Sequence, residues 1–248
     1  MTYLRTVLAL IVLLVGACTA CASGQLPAVQ PTTSDLIARA LKSSITLYDR
    51  DDDLVCAGTR VAPTVILTAY HCAVAAALPL GELEAMALLG LDLNDVPAHR
   101  VLKQQVHYST YGDTLAATEK ADRNIRLAVV ERVERVADLA VLRTADVGQP
   151  HVPVSSGTLE VGEDIFAIGH PVGLEYTFSR GWVATPCRTA PSLPKGCWTQ
   201  VDMTIWGGSS GGGLYDSAGQ LVGVASMMAR PGQGFFTPPQ IVAKFLTY

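Results

Sequence analysis

The chain opens on an uninterrupted apolar run, Val7 to Val15, behind a single positive charge at Arg5. Nine apolar residues are too few to cross a bilayer, which needs about 20, but they have the length and flanks of a signal-peptide core. Residues 23–33 (SGQLPAVQPTT) are small, polar and Pro-containing, and are expected to form a flexible tether. From Ser34, SDLIARALKSS offers an N-cap and apolar residues at helical spacing, so one short helix is predicted. The pattern then turns to short β-branched runs. ITLYD, LVCAGTRV and TVILTA are separated by an Asp-rich turn and an Ala-Pro turn, and read as three strands. The acidic turn, Asp49 to Asp53, is read as a solvated hairpin turn, since no metal-ligand spacing follows it.

Residues 73–123 give a weaker pattern. AVAAALPLGELEAMALLGLDLND is partly helical in period, VLKQQVHY reads as a strand, and YGDTLAATEKADRN as a long polar connection. Beyond it come NIRLAVVERV, LAVLR, EDIFAIG, EYTFSRGWVAT, WTQVDM, GGLYD and QLVGVASMM, all strand-like, and a closing helix within PPQIVAKFLTY. Many short strands with few helices predict an all-β sandwich or barrel. No internal repeat is present.

Composition adjusts this picture modestly. Of 248 residues, 49% are hydrophobic and only 16% charged, which excludes a disordered chain. A net charge of −4 argues against nucleic-acid binding, which needs a basic face. There are six cysteines. V-G-A-C, Val15 to Cys18, resembles a bacterial lipoprotein processing site, at which Cys18 would be acylated and inserted in a membrane. Plain cleavage after Ala20–Ala22 is the alternative, and lipidation of Cys21 would balance the thiol count but match the processing site less well. Residues 1–22 are thus read as a leader, the lipoprotein type being the closer match, and the rest as exported to a compartment where cysteines pair. Cys56, Cys72, Cys187 and Cys197 then remain.

Three strings carry chemistry: TAYHC at 68–72, ADLAVLR at 137–143 and GGSSGGGLYD at 207–216. Ser210 sits among glycines that let a turn present its hydroxyl unobstructed. A serine hydroxyl needs a base to become a nucleophile. His71 can be that base, and a carboxylate at Asp138 would hold the ring in the useful tautomer. Separately, each string has a structural explanation as turn, cap or core; together, in the order His, Asp, Ser within an all-β chain, they point to nucleophilic catalysis.

These strings resemble the trypsin-like serine proteases of the chymotrypsin fold. Cys56 to Cys72 is similar to that family's strand leading into its histidine, and G-H-P-V-G at 169–173 followed by S-R-G-W-V resembles the bacterial HtrA-like branch. QLVGVAS, Gln220 to Ser226, is similar to the strand lining the family's cleft. The resemblance implies two antiparallel β-barrels within a protease domain at 34–248, the first at about 44–147 and the second at about 148–248. It implies Ser210 as nucleophile, His71 as general base and acid, Asp138 as orienting carboxylate, and the N–H groups of Gly208 and Ser210 as oxyanion hole. It also implies disulfides Cys56–Cys72 and Cys187–Cys197. A zinc site at Cys56, His71 and Cys72 is the rival reading of those residues, disfavoured because adjacent His-Cys gives poor tetrahedral geometry. No metal or organic cofactor is expected.

Departures from the family are informative. Ser209 stands where digestive members carry an Asp, and no I-V-G-G segment occurs, so activation by a new N-terminus is not expected. The 38 residues after Ser210 are too few for the PDZ domain usual in the HtrA branch, so a bare protease domain is expected. Thr204, six before the nucleophile, falls at the family's pocket floor, and Ser226 and Met228 at its wall. With no carboxylate at Thr204, small or medium aliphatic residues are expected before the cut in a polypeptide substrate. His99, His107, His151 and His170 match no motif and are read as surface or loop residues. The same fold could also serve as a catalytically silent peptide-binding module, or as an esterase using the triad.

Overall fold

The computed structural model describes residues 31–115 and 122–247. The leader, the site of lipidation at Cys18 and most of the tether lie outside the described residues. Twelve strands form two closed antiparallel six-stranded barrels. The first contains β1 (Ser44–Tyr48), β2 (Leu54–Ala62), β3 (Val65–Thr68), β4 (Gln105–Thr110), β5 (Arg126–Glu134) and β6 (Leu139–Arg143), closed in the order β1-β2-β3-β6-β5-β4. The second contains β7 (Asp164–Gly169), β8 (Thr177–Arg188), β9 (Trp198–Asp202), β10 (Gly213–Tyr215), β11 (Leu221–Arg230) and β12 (Gln233–Thr237), closed as β10-β11-β12-β9-β8-β7. Closure removes the unpaired edges that an open sheet of such apolar strands would expose.

Alternation decides which side chains fill each barrel. Along β5, Ala128 and Val130 are buried while the alternate residues Leu127 and Val129 face outward. Ile45, Leu47, Ile66, Val106, Tyr108 and Leu142 fill the first barrel, and Ile165, Val183, Val201, Leu214 and Phe236 the second. A third apolar cluster joins them. It takes Leu67, Leu139 and Val141 from the first barrel, and Phe166, Ile168, Tyr215 and Val224 from the second. This seam is what fixes one barrel's loops against the other's.

The β1–β2 connection is a hairpin turn as read from the sequence: Asp49 Oδ1 accepts the N–H groups of Asp51 and Asp53, both at 2.9 Å. The first helix, α1, runs Thr33–Ser43. The weakly patterned stretch holds α2 (Tyr70–Ala77), α3 (Leu80–Leu88) and α4 (Ala98–Val101), and α5 (Tyr111–Leu115) opens the polar connection. VLKQQVHY is not one strand. Val101 ends α4, Lys103 takes a left-handed φ of 66°, and the strand begins only at Gln105. The expected helix after Pro238 is α6 (Pro239–Thr247). Strand β12, which closes the second barrel between β11 and β9, had no expectation from the sequence.

Candidate active site

His71 lies in the first turn of α2, immediately after β3, where the backbone N–H groups have no partner inside the helix. No side chain of the helix's own N-cap residue, Ala69, supplies one. Asp138 does so from the opposite hairpin: its Oδ1 accepts the His71 N–H at 3.0 Å while Oδ2 meets His71 Nδ1 at 2.9 Å. A third bond, from Ser226 Oγ on β11, reaches Oδ2 at 2.5 Å. Asp138 is 2% exposed and sits in the turn between β5 and β6 with φ 52°, a left-handed conformation that Asp tolerates better than most residues. A carboxylate accepts and cannot donate, so the proton of His71 is on Nδ1 and Nε2 is left with its lone pair.

Cys56 on β2 is disulfide-bonded to Cys72, with Cα atoms 5.7 Å apart, so a covalent link holds β2 beside the residue after His71. The bond also decides against zinc at Cys56, His71 and Cys72, whose ligand atoms lie close together. Sulfurs joined to each other are not thiolates, and the thiolate is the metal ligand. Cys187 and Cys197 form the second disulfide.

Ser210 lies in the turn before β10. Its carbonyl accepts the N–H of Ala57 on β2 at 2.8 Å, so the loop is pinned to the opposite barrel. Gly211 follows with φ +78°, and a Cβ there would stand 2.2 Å from both Ala57 O and Thr68 Oγ1. Only glycine allows the approach. Gly208 is equally constrained: φ is +94° and a Cβ would lie 2.3 Å from the carbonyl oxygen of His170. Among the described residues, neither the N–H of Gly208, the N–H of Ser210 nor the Ser210 hydroxyl makes a hydrogen bond. His71 Nε2 approaches Cys72 Sγ at 3.6 Å.

The three residues proposed for the pocket are placed differently from one another. Ser226 is buried with its hydroxyl on Asp138, Thr204 is exposed between buried Met203 and Ile205, and Met228 is exposed on β11. Beside Asp138 runs a groove of about 450 Å³, whose walls include Asp92, Asp95, Arg135, Lys195 and Met227. A groove of about 510 Å³ between Arg132, Trp198 and Phe245 contains none of His71, Asp138 and Ser210. Of the two, only the first is lined by Asp138.

Of the remaining histidines, His99 is exposed, His151 is half-buried in a loop, and His107 pairs with Asp52 at 2.7 Å near the surface. His170 lies in the loop after β7, one of the two expected placements, but not at the surface. It is fully buried, and burial pulls its pKa down from the usual 6.5 to about 4. The signal available in the sequence was its place directly after the apolar run of β7.

A family model described as a trypsin-like peptidase domain matches residues 56–224. A probable periplasmic serine endoprotease DegP-like of Pseudomonas savastanoi pv. phaseolicola is 33% identical over 116 residues, 46% of this chain and 24% of that protein. The mitochondrial serine protease HTRA2 of Drosophila pseudoobscura pseudoobscura is 32% identical over 138 residues, 54% of this chain and 32% of that one. The chain therefore spans about a quarter to a third of the length of these relatives. Among solved structures, the HtrA-type protease AlgW with a tripeptide superposes with a TM-score of 0.65 at 21% identity, over 88% of this chain and 63% of that one.

Proposed function

This chain belongs to the trypsin-like peptidase family, and on that premise we propose that it is an exported serine endopeptidase that cleaves polypeptides through an acyl-enzyme. Ser210 Oγ attacks the scissile carbonyl carbon, and His71 Nε2 takes the hydroxyl proton as the bond forms. Asp138 keeps that ring nitrogen free and stabilises the imidazolium that results. The carbonyl oxygen, now carrying negative charge, is received by the N–H groups of Gly208 and Ser210. His71 then hands its proton to the leaving amine, and water repeats the sequence to release the acyl group.

The observation that carries this reading is the bond from His71 Nδ1 to a buried Asp138, set against a Ser210 loop pinned to the same barrel through Ala57. The serine–histidine contact itself is open. In free enzymes it is often long and tightens when substrate binds. Two disulfides and periplasmic relatives support export, since such bonds persist in oxidising compartments. The V-G-A-C site at Cys18 supports a lipid anchor, testable by metabolic labelling with a fatty-acid analogue in wild type and Cys18→Ala.

The pocket reading extends the proposal: with Thr204, Ser226 and Met228 around the residue before the cut and no carboxylate among them, small and medium aliphatic residues are favoured. The test is digestion of an unfolded protein such as casein beside a simple acyl ester, using wild type and Ser210→Ala. Casein cleaved by wild type alone, after small aliphatic residues, is expected. Ester hydrolysis without proteolysis would make it an esterase; binding without either would make it a silent module. Cleavage after Arg, Lys or large aromatic residues would overturn the pocket reading.

A further inference from the structure

His170 is the buried group that the mechanism above does not use. Its ring spans the two barrels. Nδ1 accepts the backbone N–H of Tyr176 at 2.9 Å, so the ring proton is on Nε2. Nε2 points at the Ile45 carbonyl on β1 at 3.1 Å and lies 3.2 Å from Thr46 Oγ1, which itself donates to Tyr176 Oη at 3.0 Å. The Tyr176 ring closes over the imidazole edge-to-face at 4.9 Å, and Tyr111 packs edge-on against Tyr176. One donor and one acceptor are each satisfied by the neutral ring. A second ring proton would face the Tyr176 N–H, donor against donor.

What the ring holds is a short loop in costly conformations. Val172 has φ 47° and ψ 34°, a left-handed state that β-branched residues seldom adopt, and Tyr176 has φ 55°. Such conformations persist only where the surroundings enforce them. The loop's output is the Val172 N–H, which donates to the Gly207 carbonyl at 2.8 Å. A trans peptide is planar with its C=O and N–H on opposite sides. Fixing the Gly207 carbonyl toward Val172 therefore fixes the Gly208 N–H away from it. The His170 carbonyl oxygen would stand 2.3 Å from a Cβ on Gly208, so no side chain fits there.

We propose that His170 is a positioning residue for the oxyanion donor: as a neutral imidazole bridging β1 and the 170–176 loop, it locks the Gly207–Gly208 peptide in the orientation that aims the Gly208 N–H at the reacting carbonyl. This rests on the serine-peptidase reading. It acts on a transition-state interaction, so its loss appears in kcat and not in KM.

The variants separate the ring's two bonds. Leu fills the space and makes neither bond. Asn places its amide oxygen near the Nδ1 position, keeping the acceptor for Tyr176 while losing the reach to Ile45. With a peptide substrate, His170→Leu is expected to lower kcat about a hundredfold or more, the loss of one oxyanion donor, with KM within about threefold. His170→Asn should lose only about three- to tenfold, and fluorophosphonate labelling rates should fall in the same order. A cooperatively melting His170→Leu with wild-type kcat overturns the inference. If His170→Leu does not fold, His170→Asn decides: no loss, or a loss confined to KM, overturns it. A wild type with neither turnover nor Ser210-dependent labelling overturns the peptidase reading, and the inference falls with it.

Discussion

At Asp138 one side chain satisfies three donors: a backbone N–H at the start of α2, the imidazole of His71 and the hydroxyl of Ser226. The sequence offered the carboxylate through ADLAVLR, but not that it caps the helix bearing His71, nor that Ser226 closes on it. Those contacts join residues 67 and 88 positions apart, which no local pattern encodes. Replacing Asp138 by Asn tests the arrangement. The amide must keep its oxygen toward the His71 N–H, so its NH2 faces Nδ1 and drives the ring proton to Nε2. The base is then occupied, and turnover should fall about 10⁴-fold, as when the triad aspartate of this family becomes an amide, with the fold retained by circular dichroism. Activity within tenfold of wild type would remove Asp138 from the proposed mechanism.

His170 gives a second prediction at this scale. Its folded pKa of about 4 lies below the ordinary 6.5, because burial disfavours the imidazolium by more than the backbone groups of Ile45 and Gly169 favour it; among the described residues the other groups around it are Tyr176, Tyr111 and, beyond Tyr48, Glu175. The unfolded chain thus binds the proton first as pH falls. Stability from this group is intact above 6.5, declines between 6.5 and 4 by about 3 kcal/mol, and is level below. The difference in Tm between wild type and His170→Asn, followed from pH 7 to pH 4, isolates this contribution from the carboxylates. It should shift in favour of the variant as pH falls; a constant difference would contradict the buried neutral ring.

Among elements, the legible ones were those whose pattern decides alone. Alternating β-branched runs bounded by Asp, Gly or Pro marked eleven of the strands, whereas β12 was passed over because GlnGlyPhePheThr begins on a Gly-rich turn and is too short to show a period. The opposite error, VLKQQVHY, merged a helical turn with a strand because both are apolar and the left-handed break falls at Lys103, an ordinary residue in the sequence. Helix α2 has a weak pattern for another reason. Its sequence, YHCAVAAA, is nearly all apolar and six of its eight residues are buried, so no polar face marks its period. What secures it is the disulfide to β2. By the loop-entropy model, closing the 16-residue separation contributes about 3 kcal/mol. Cys56→Ser/Cys72→Ser should lower stability by that order in urea melts, and lower kcat as well, since the bond holds the turn that presents His71. Unchanged stability in the oxidised wild type and the double variant would contradict this.

For the whole molecule, the two barrels matter because the proposed site is divided between them: His71 and Asp138 come from the first, Ser210 and Ser226 from the second. The apolar seam of Leu67, Leu139, Phe166 and Tyr215, the Ala57–Ser210 bond and the His170 bridge set one against the other. A sequence shows the parts of such a site as separate strings and leaves their meeting to the fold. Whether these parts make an activated nucleophile is read out by a fluorophosphonate probe, which reacts only with a serine whose proton can be taken. Wild type should label covalently at Ser210, Ser210→Ala should not label, and His71→Ala should label slower by orders of magnitude. A folded wild type that stays unlabelled, or labelling that persists in Ser210→Ala, would contradict it.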